Sequence, residues 1–267
     1  MVFLPYASGS MSVRRIIEKL IAGQYAFHFP DIDRWHGRGV QPYYPVQAHD
    51  NVYIFTEAGH MESSILASNL SPAQLKYLVC LRDPRDMLVS LYFLSRSQEH
   101  LALHADFAIY DQLRTYMEEA QETTVDEYVL GRMGWARGAL QALQEFLADI
   151  PAGQVRHLSY AALCHAFPFY LTGLIDYLDV SPGREVIAEL LATEDIQRAD
   201  TLNLASLARF EKASPRPGRH KRDLLPETVR SLNRDLEEVL AWMADNDMPE
   251  YRPMYDTRTP PDLPQPT

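Results

Sequence analysis

The chain has 267 residues, with 25 Lys and Arg against 36 Asp and Glu, and so a net charge of −11 at pH 7. A surface of that sign excludes a nucleic-acid backbone as the main partner, which would need a broad basic face to release counterions, and leaves room only for a local basic pocket. With 46% hydrophobic and 23% charged residues, and no apolar run near the roughly 18 residues of a membrane span, the composition is that of an ordinary globular protein. The opening MVFLPYASGS has no basic segment leading into an apolar one, so a cytoplasmic location is expected.

Val2 to Tyr6 reads as a short buried strand. It runs at once into Ala7-Ser8-Gly9-Ser10 and an apolar-periodic stretch, Met11 to Ile21, which predicts strand, tight turn and helix. Tyr25 to Phe29 is the second strand candidate, and Pro30 to Asp50, rich in Pro, Gly, Tyr and charge, reads as a long irregular connection. Asn51 to Phe55 and Lys76 to Leu81 are the third and fourth strands, each followed by a polar turn and a helical pattern; Gln154 to Leu158 is the fifth.

Residues 107–150 read as helical, with Trp135, Leu140, Leu143 and Phe146 on one apolar stripe. Pro226 to Met243 predicts one amphipathic helix with Pro in its first turn. Strands alternating with helices give an α/β fold, a mostly parallel sheet of about five strands between two helical layers, with ligands gathering at the carboxyl ends of the strands. One domain is expected over residues 1–256, and a Pro-rich tail over 257–267 has little to pack and is expected to be disordered. Cys80 and Cys164 both lie in apolar segments and read as buried free thiols.

Two segments carry chemistry. Ser8-Gly9-Ser10-Met11-Ser12 places backbone N–H groups and small hydroxyls at a helix N-terminus, an arrangement that binds phosphate, although an ordinary strand-to-helix turn with Gly and an N-cap Ser would look the same. It is not a GxxxxGK[ST] loop. In Leu81-Arg82-Asp83-Pro84-Arg85-Asp86-Met87-Leu88-Val89-Ser90, Arg82 closes a strand, Asp83 caps a helix and Pro84 takes its first position. Arg82 and Ser90 can then converge on one anion. The plain alternative is an Arg–Asp surface pair beside a capped helix. His28, His36, His49, His100, His104, His157 and His165 show no ligand spacing, so no metal is expected. Trp35, Tyr43 and Tyr44 read equally as an acceptor pocket or as loop packing.

LRDPRDMLVSLYF resembles the 3′-phosphate segment of the sulfotransferases that use 3′-phosphoadenosine 5′-phosphosulfate, and the resemblance runs in order along most of the chain. FLPYASGSMSVRRII is similar to their first strand, 5′-phosphosulfate loop and helix. FTEAGHMESSILASNL is similar to the segment with the catalytic histidine, VRHLSYAALCHAFPFYLTGLIDYLDV to the segment whose Tyr lies beside adenine, and PRPGRHKRDLLPETV to the loop that closes over the 3′-phosphate. The resemblance implies a P-loop-like three-layer fold and His60 as general base. It implies Ser8, Gly9, Ser10, Met11 and Ser12 at the 5′-phosphate and sulfuryl group, and Arg82, Ser90, Arg216, Gly218 and Lys221 at the 3′-phosphate. Tyr160 and Phe210 would pack on adenine, the product would be adenosine 3′,5′-bisphosphate, and no metal would take part. A small molecule, lipid or sugar is the implied acceptor. A homodimer stays open, because the last amphipathic helix can pack on its own domain or on a partner.

The chain departs from that pattern at several points. Ala7 stands where the family usually has Lys before its Ser-Gly, and Arg14, Arg15 and Lys221 are the cations that could replace it. Ser12 stands where many members place an adenine-packing Trp, His220 replaces the aromatic of Gly-x-Trp-Lys, and Ala161 replaces a common acidic residue. Ala7 supports an alternative reading, a catalytically weak or silent nucleotide-binding scaffold. An unusual P-loop kinase is the third reading, opposed by the missing Walker lysine.

Overall fold

The computed structural model describes residues 1–5, 7–28, 51–55, 58–66, 68, 70–98, 101, 110–195 and 216–257. The elements, in chain order, are β1 Val2–Phe3, α1 Ser10–Ile21, β2 Ala26–His28, β3 Asn51–Phe55 and α2 Ala58–Leu66; then β4 Tyr77–Leu81, α3 Pro84–Ser95, α4 Tyr110–Glu122, α5 Val125–Ala148 and β5 Val155–Ser159. They are followed by α6 Tyr160–His165, α7 Phe167–Leu178, α8 Arg184–Thr193, α9 Arg219–Asp223, α10 Pro226–Asp235 and α11 Glu237–Asn246.

The sheet has the order β2-β3-β1-β4-β5, and every pairing is parallel. Val2 pairs with Ile54 on one side and Leu78 on the other. The chain leaves β1 toward β2, returns to β3 and then crosses to β4, so the connections after β1 and β4 diverge. A crevice therefore opens at the carboxyl ends of these two neighbouring strands.

Side-chain alternation sorts the sheet into two cores. Val2, Leu4, Ile54, Leu78, Cys80 and Leu158 face α1, α6, α7 and α8. Phe3, Tyr53, Phe55, Tyr77, Val79 and Leu81 face the layer built on α2, α3, α5 and α11. The Tyr177 hydroxyl laces the amino ends of the last two strands, taking the Tyr77 N–H at 3.2 Å and lying 2.5 Å from the Gln154 carbonyl.

Four expectations shift. The first strand ends at Phe3 because Pro5 has no N–H to give a ladder, although Leu4 still donates to the Phe55 carbonyl at 2.8 Å. The fifth starts at Val155, since Gln154 closes a one-turn 3₁₀ segment. Trp135 is 48% exposed; the buried residues of α5 are Tyr128, Val129, Ala136, Leu140, Leu143 and Leu147, a stripe whose centre follows Val129, Ala136, Leu140 and Leu143 and leaves position 135 at its edge. The last helix is two: Leu236 has φ −108 and ψ 10, a non-helical turn that no Gly or Pro announces. The bend brings Leu232, Leu236, Val239, Leu240 and Met243 into one core. Among the described residues no helix is long and apolar enough to cross a membrane.

Candidate functional site

The crevice is floored by the loop after β1. Ala7 (φ 60) and Gly9 (φ 85) are both left-handed, so the chain doubles back between them, with Ser8 N–H donating to the Pro5 carbonyl at 3.0 Å. Gly9 is the N-cap of α1, and no side chain caps that helix. An N-cap Ser is thus absent, and the first N–H groups of α1 are not taken up by a side chain. Ser8 is fully buried and its Oγ has no partner among the described residues. Ser10 opens α1, Met11 is exposed, and the Ser12 hydroxyl accepts from Arg15 Nη2 at 3.1 Å.

Gly9 is needed for space as well as for φ. A Cβ there would lie 2.6 Å from Cε2 of Tyr160. Tyr160 starts α6 just beyond β5, and the Arg82 guanidinium sits 4.2 Å from its ring centroid. Burial raises its phenol far above the ordinary range. Cys80 and Cys164 flank this region as buried thiols outside any disulfide, each pushed up to about 12 by burial, which leaves them inert.

Arg82 joins two segments. Its Nη1 donates to the Ala7 carbonyl of the β1 loop, and its Nη2 donates to Ser90 Oγ on α3 at 2.8 Å; its Nε is buried without a partner among the described residues. The local sequence holds it there as expected: Asp83 caps α3 by accepting the Arg85 N–H at 2.9 Å, and Pro84 is the first helical residue, a cap worth about 1 kcal/mol. The Arg–Asp pair beside it is Arg85 with Asp83 at 2.6 Å. It is buried, not on the surface, and Arg85 also reaches Asn233 Oδ1 and the Met254 carbonyl.

The third side is α9, laid on the face of α3 that carries Asp86, Ser90 and Phe93, spaced four and three residues apart. Asp86 Oδ2 accepts the Gly218 N–H at 2.6 Å, while Oδ1 accepts the His220 N–H at 2.8 Å and lies 2.7 Å from its Nδ1. Burial works to raise the Asp86 carboxyl, but His220 and Arg82 outweigh it and hold the group well below the usual carboxylate range. The Arg219 guanidinium lies 4.3 Å from the Phe93 ring centroid and donates to Asp223. Its pKa is lowered, first by burial and also by Arg222 and Arg82. Arg82 and Arg219 are thus two buried cations close enough to act on each other, beside Ser90 and Phe93 on one face of α3.

The other sequence-predicted residues fall as follows. Gly218 (φ 84) is the N-cap of α9 and its N–H is committed to Asp86. Lys221 is half-buried on α9, and Arg216 is exposed just before it. His60 is the third residue of α2, the helix after β3; its side chain, like the whole of Phe210, Trp35, Tyr43 and Tyr44, lies outside the described residues. The sequence reading missed Arg219 and the role of Asp86, although the Asp86, Ser90, Phe93 spacing was a signal for them. A cleft of about 260 Å³ between β5, α7 and Asn246–Met248 contains none of the predicted site residues.

A family model described as the sulfotransferase domain matches residues 40–211, which include β3, α2, β4, Arg82, Ser90 and Tyr160. No curated protein matches by sequence. Among solved structures, the mouse sulfotransferase SULT7A1 complexed with PAP aligns with a TM-score of 0.56 at 11% identity, over 97% of this chain and 88% of that one, a likeness of fold. The family model spans more than half of the chain and the parallel five-stranded sheet has the fold of that neighbour, so the chain belongs to the sulfotransferase domain family.

Proposed function

We propose that this protein transfers a sulfuryl group from 3′-phosphoadenosine 5′-phosphosulfate to a hydroxyl or amine of a small molecule, lipid or sugar. The observation that carries the reading is the buried Arg82 guanidinium, which bridges the Ala7 loop and Ser90 and lies close enough to Arg219 of α9 to lower its pKa. In an acidic chain, such a basic pocket suits a compact polyanion.

In this reading Arg82, Ser90 and Arg219 take the 3′-phosphate, with Lys221 at its rim, and Ser8 Oγ and the first N–H groups of α1 take the 5′-phosphate. The acceptor oxygen or nitrogen attacks sulfur in line with the leaving phosphate oxygen; the new bond to sulfur forms as the old S–O bond breaks. His60 takes the acceptor's proton. Negative charge grows on the leaving oxygen, so donors fixed around it lower the barrier most. Tyr160 packs on the loop at Gly9 and lies under Arg82, beside the adenine in this reading.

Calorimetric titration with adenosine 3′,5′-bisphosphate tests this. Micromolar binding to the native protein, lost in Arg82→Ala and kept in His60→Ala, is expected, with sulfuryl transfer abolished in both. No binding to the native protein refutes the reading. Ala7 favours a second one, a nucleotide-binding protein with slow or no transfer; binding without transfer to any of a panel of hydroxyl and amine acceptors would establish it.

A further inference from the structure

α1 buries Val13, Ile16, Ile17 and Leu20 and carries Ser12, Arg15 and Lys19 along another face, three and four residues apart. Two of these side chains bind α8 and the residue that caps it. Lys19 Nζ donates to Glu189 Oε1 at 2.7 Å. Arg15 donates from Nε at 3.0 Å and from Nη2 at 2.9 Å to the two carboxylate oxygens of Glu194, and Nη2 also donates to Ser12 Oγ at 3.1 Å. Three hydrogen bonds along one edge of the guanidinium fix its plane. The Glu194 side chain is 6% exposed and that of Arg15 is 47% exposed, so the carboxylate is held inside while the guanidinium keeps open surface.

An arginine held in this way is poorly suited to an anion. Glu194 already offsets its charge, and a phosphate brought to Arg15 would be repelled by that carboxylate. A rigid guanidinium plane whose charge is met at its edge suits a flat, uncharged π-system, on which arginine stacks. The entropy of ordering the side chain is lost on folding and not again on binding.

Its place in the fold selects the π-system. Ser12 N–H donates to the Gly9 carbonyl at 3.0 Å, so Ser12 and the guanidinium bound to its hydroxyl belong to the first turn of α1. In the functional reading above, the leading N–H groups of this turn take the 5′-phosphate, and the nucleoside tied to that phosphate is the flat group nearest to it. The turn also lacks the adenine-packing Trp of many family members, Ser12 standing in its place. We propose that Arg15 packs its guanidinium plane on the adenine and supplies the flat surface that Ser12 does not, with Glu194 as the residue that positions it. The inference rests on the functional reading above and adds a base contact that the family pattern does not contain.

The test is calorimetric titration of the full chain with adenosine 3′,5′-bisphosphate and with the same bisphosphorylated sugar lacking its base. Arg15→Lys keeps a cation for Glu194 and removes the plane. It should weaken the adenosine compound about fivefold or more and leave the abasic sugar unchanged. Arg15→Leu with Glu194→Met replaces the pair by apolar side chains, strands no buried charge and should show the same base-dependent loss, which keeps the test decisive if the single variant fails to fold. An equal loss for both ligands, or no loss for either, overturns the proposal, since the pair then only clamps α8 to α1. If adenosine 3′,5′-bisphosphate does not bind the native protein, the functional reading falls and this inference with it.

Discussion

Replacing Gly9 by Ala tests the packing of the loop after β1, and the structure provides its own control. At Gly9 φ is +85, and an added Cβ meets Tyr160 at 2.6 and 2.9 Å; at Gly23 φ is +76 and nothing lies within 4 Å. Both substitutions incur the left-handed penalty of about 1–2 kcal/mol, reduced by about 0.4–1 kcal/mol because Ala restricts the unfolded chain. Gly23→Ala should therefore cost about 1 kcal/mol or less. Gly9→Ala adds overpacking against a ring that is 6% exposed and has Arg82 stacked on it, worth about 1–3 kcal/mol. The total is about 2–4 kcal/mol. With about 2.1 cal/mol/K of unfolding entropy per residue, that lowers Tm by about 4–7 °C for Gly9→Ala, against about 2 °C or less for Gly23→Ala. Differential scanning calorimetry reads the two, and titration with adenosine 3′,5′-bisphosphate should show at least a tenfold loss in Gly9→Ala alone. Equal Tm shifts in the two variants would refute the claim that Tyr160 bears on the loop.

Other consequences can be read from buried pairs. Arg85→Ala strands Asp83 in the core and removes the ties to Asn233 and Met254; a loss of about 3–5 kcal/mol is expected in urea unfolding, and a loss under 1 kcal/mol would contradict the buried pairing. Asp86 has a folded pKa below its unfolded value near 3.8, so it stabilises the fold above that pH, and the contribution disappears as pH falls through the lower folded value. The urea midpoint should accordingly drop more steeply below pH 4 in the native protein than in Asp86→Asn, and parallel profiles would refute the assignment. Tyr177→Phe removes the hydroxyl shared by Tyr77 and Gln154 and should cost about 1–2 kcal/mol, with nucleotide affinity unchanged.

Much of the site's scaffold was legible because its signals are local. Arg82 at a strand end, the Asp83 cap and Pro84 at the first helical position are dictated within four residues. The two thiols were also readable as buried from their apolar neighbours. The position of α9 was not, because it depends on Asp86 reaching across 132 and 134 positions of sequence to Gly218 and His220. For the same reason Arg216, chosen by resemblance, is exposed, while Arg219 occupies the face of α3. Trp135 and the bend at Leu236 escaped for a different reason: helical periodicity fixes a face only to within one residue, and a bend set by tertiary packing leaves no Gly or Pro behind.

Ala7 brings these points to the chemistry. The residue is half-buried with φ 60, and its carbonyl is held by Arg82, so the backbone at this position is held left-handed whatever the side chain. Of the cations considered as substitutes for the family's lysine, Arg15 is bound by Glu194 and Arg14 lies over Phe27; neither is directed to the leaving group by these contacts. Lys221 is carried on α9, on the side proposed for the 3′-phosphate. An ammonium at position 7 would therefore supply a donor that these three cations do not, without new backbone strain. Ala7→Lys should raise kcat for sulfuryl transfer at least tenfold, toward the factor of about 100–1,000 that one transition-state donor is worth, with little change in affinity for adenosine 3′,5′-bisphosphate. An unchanged kcat would show that another group already neutralises the leaving oxygen. In that case Lys221→Ala should lower kcat by the same factor, identifying α9 as the source of both the 3′-phosphate grip and the leaving-group charge.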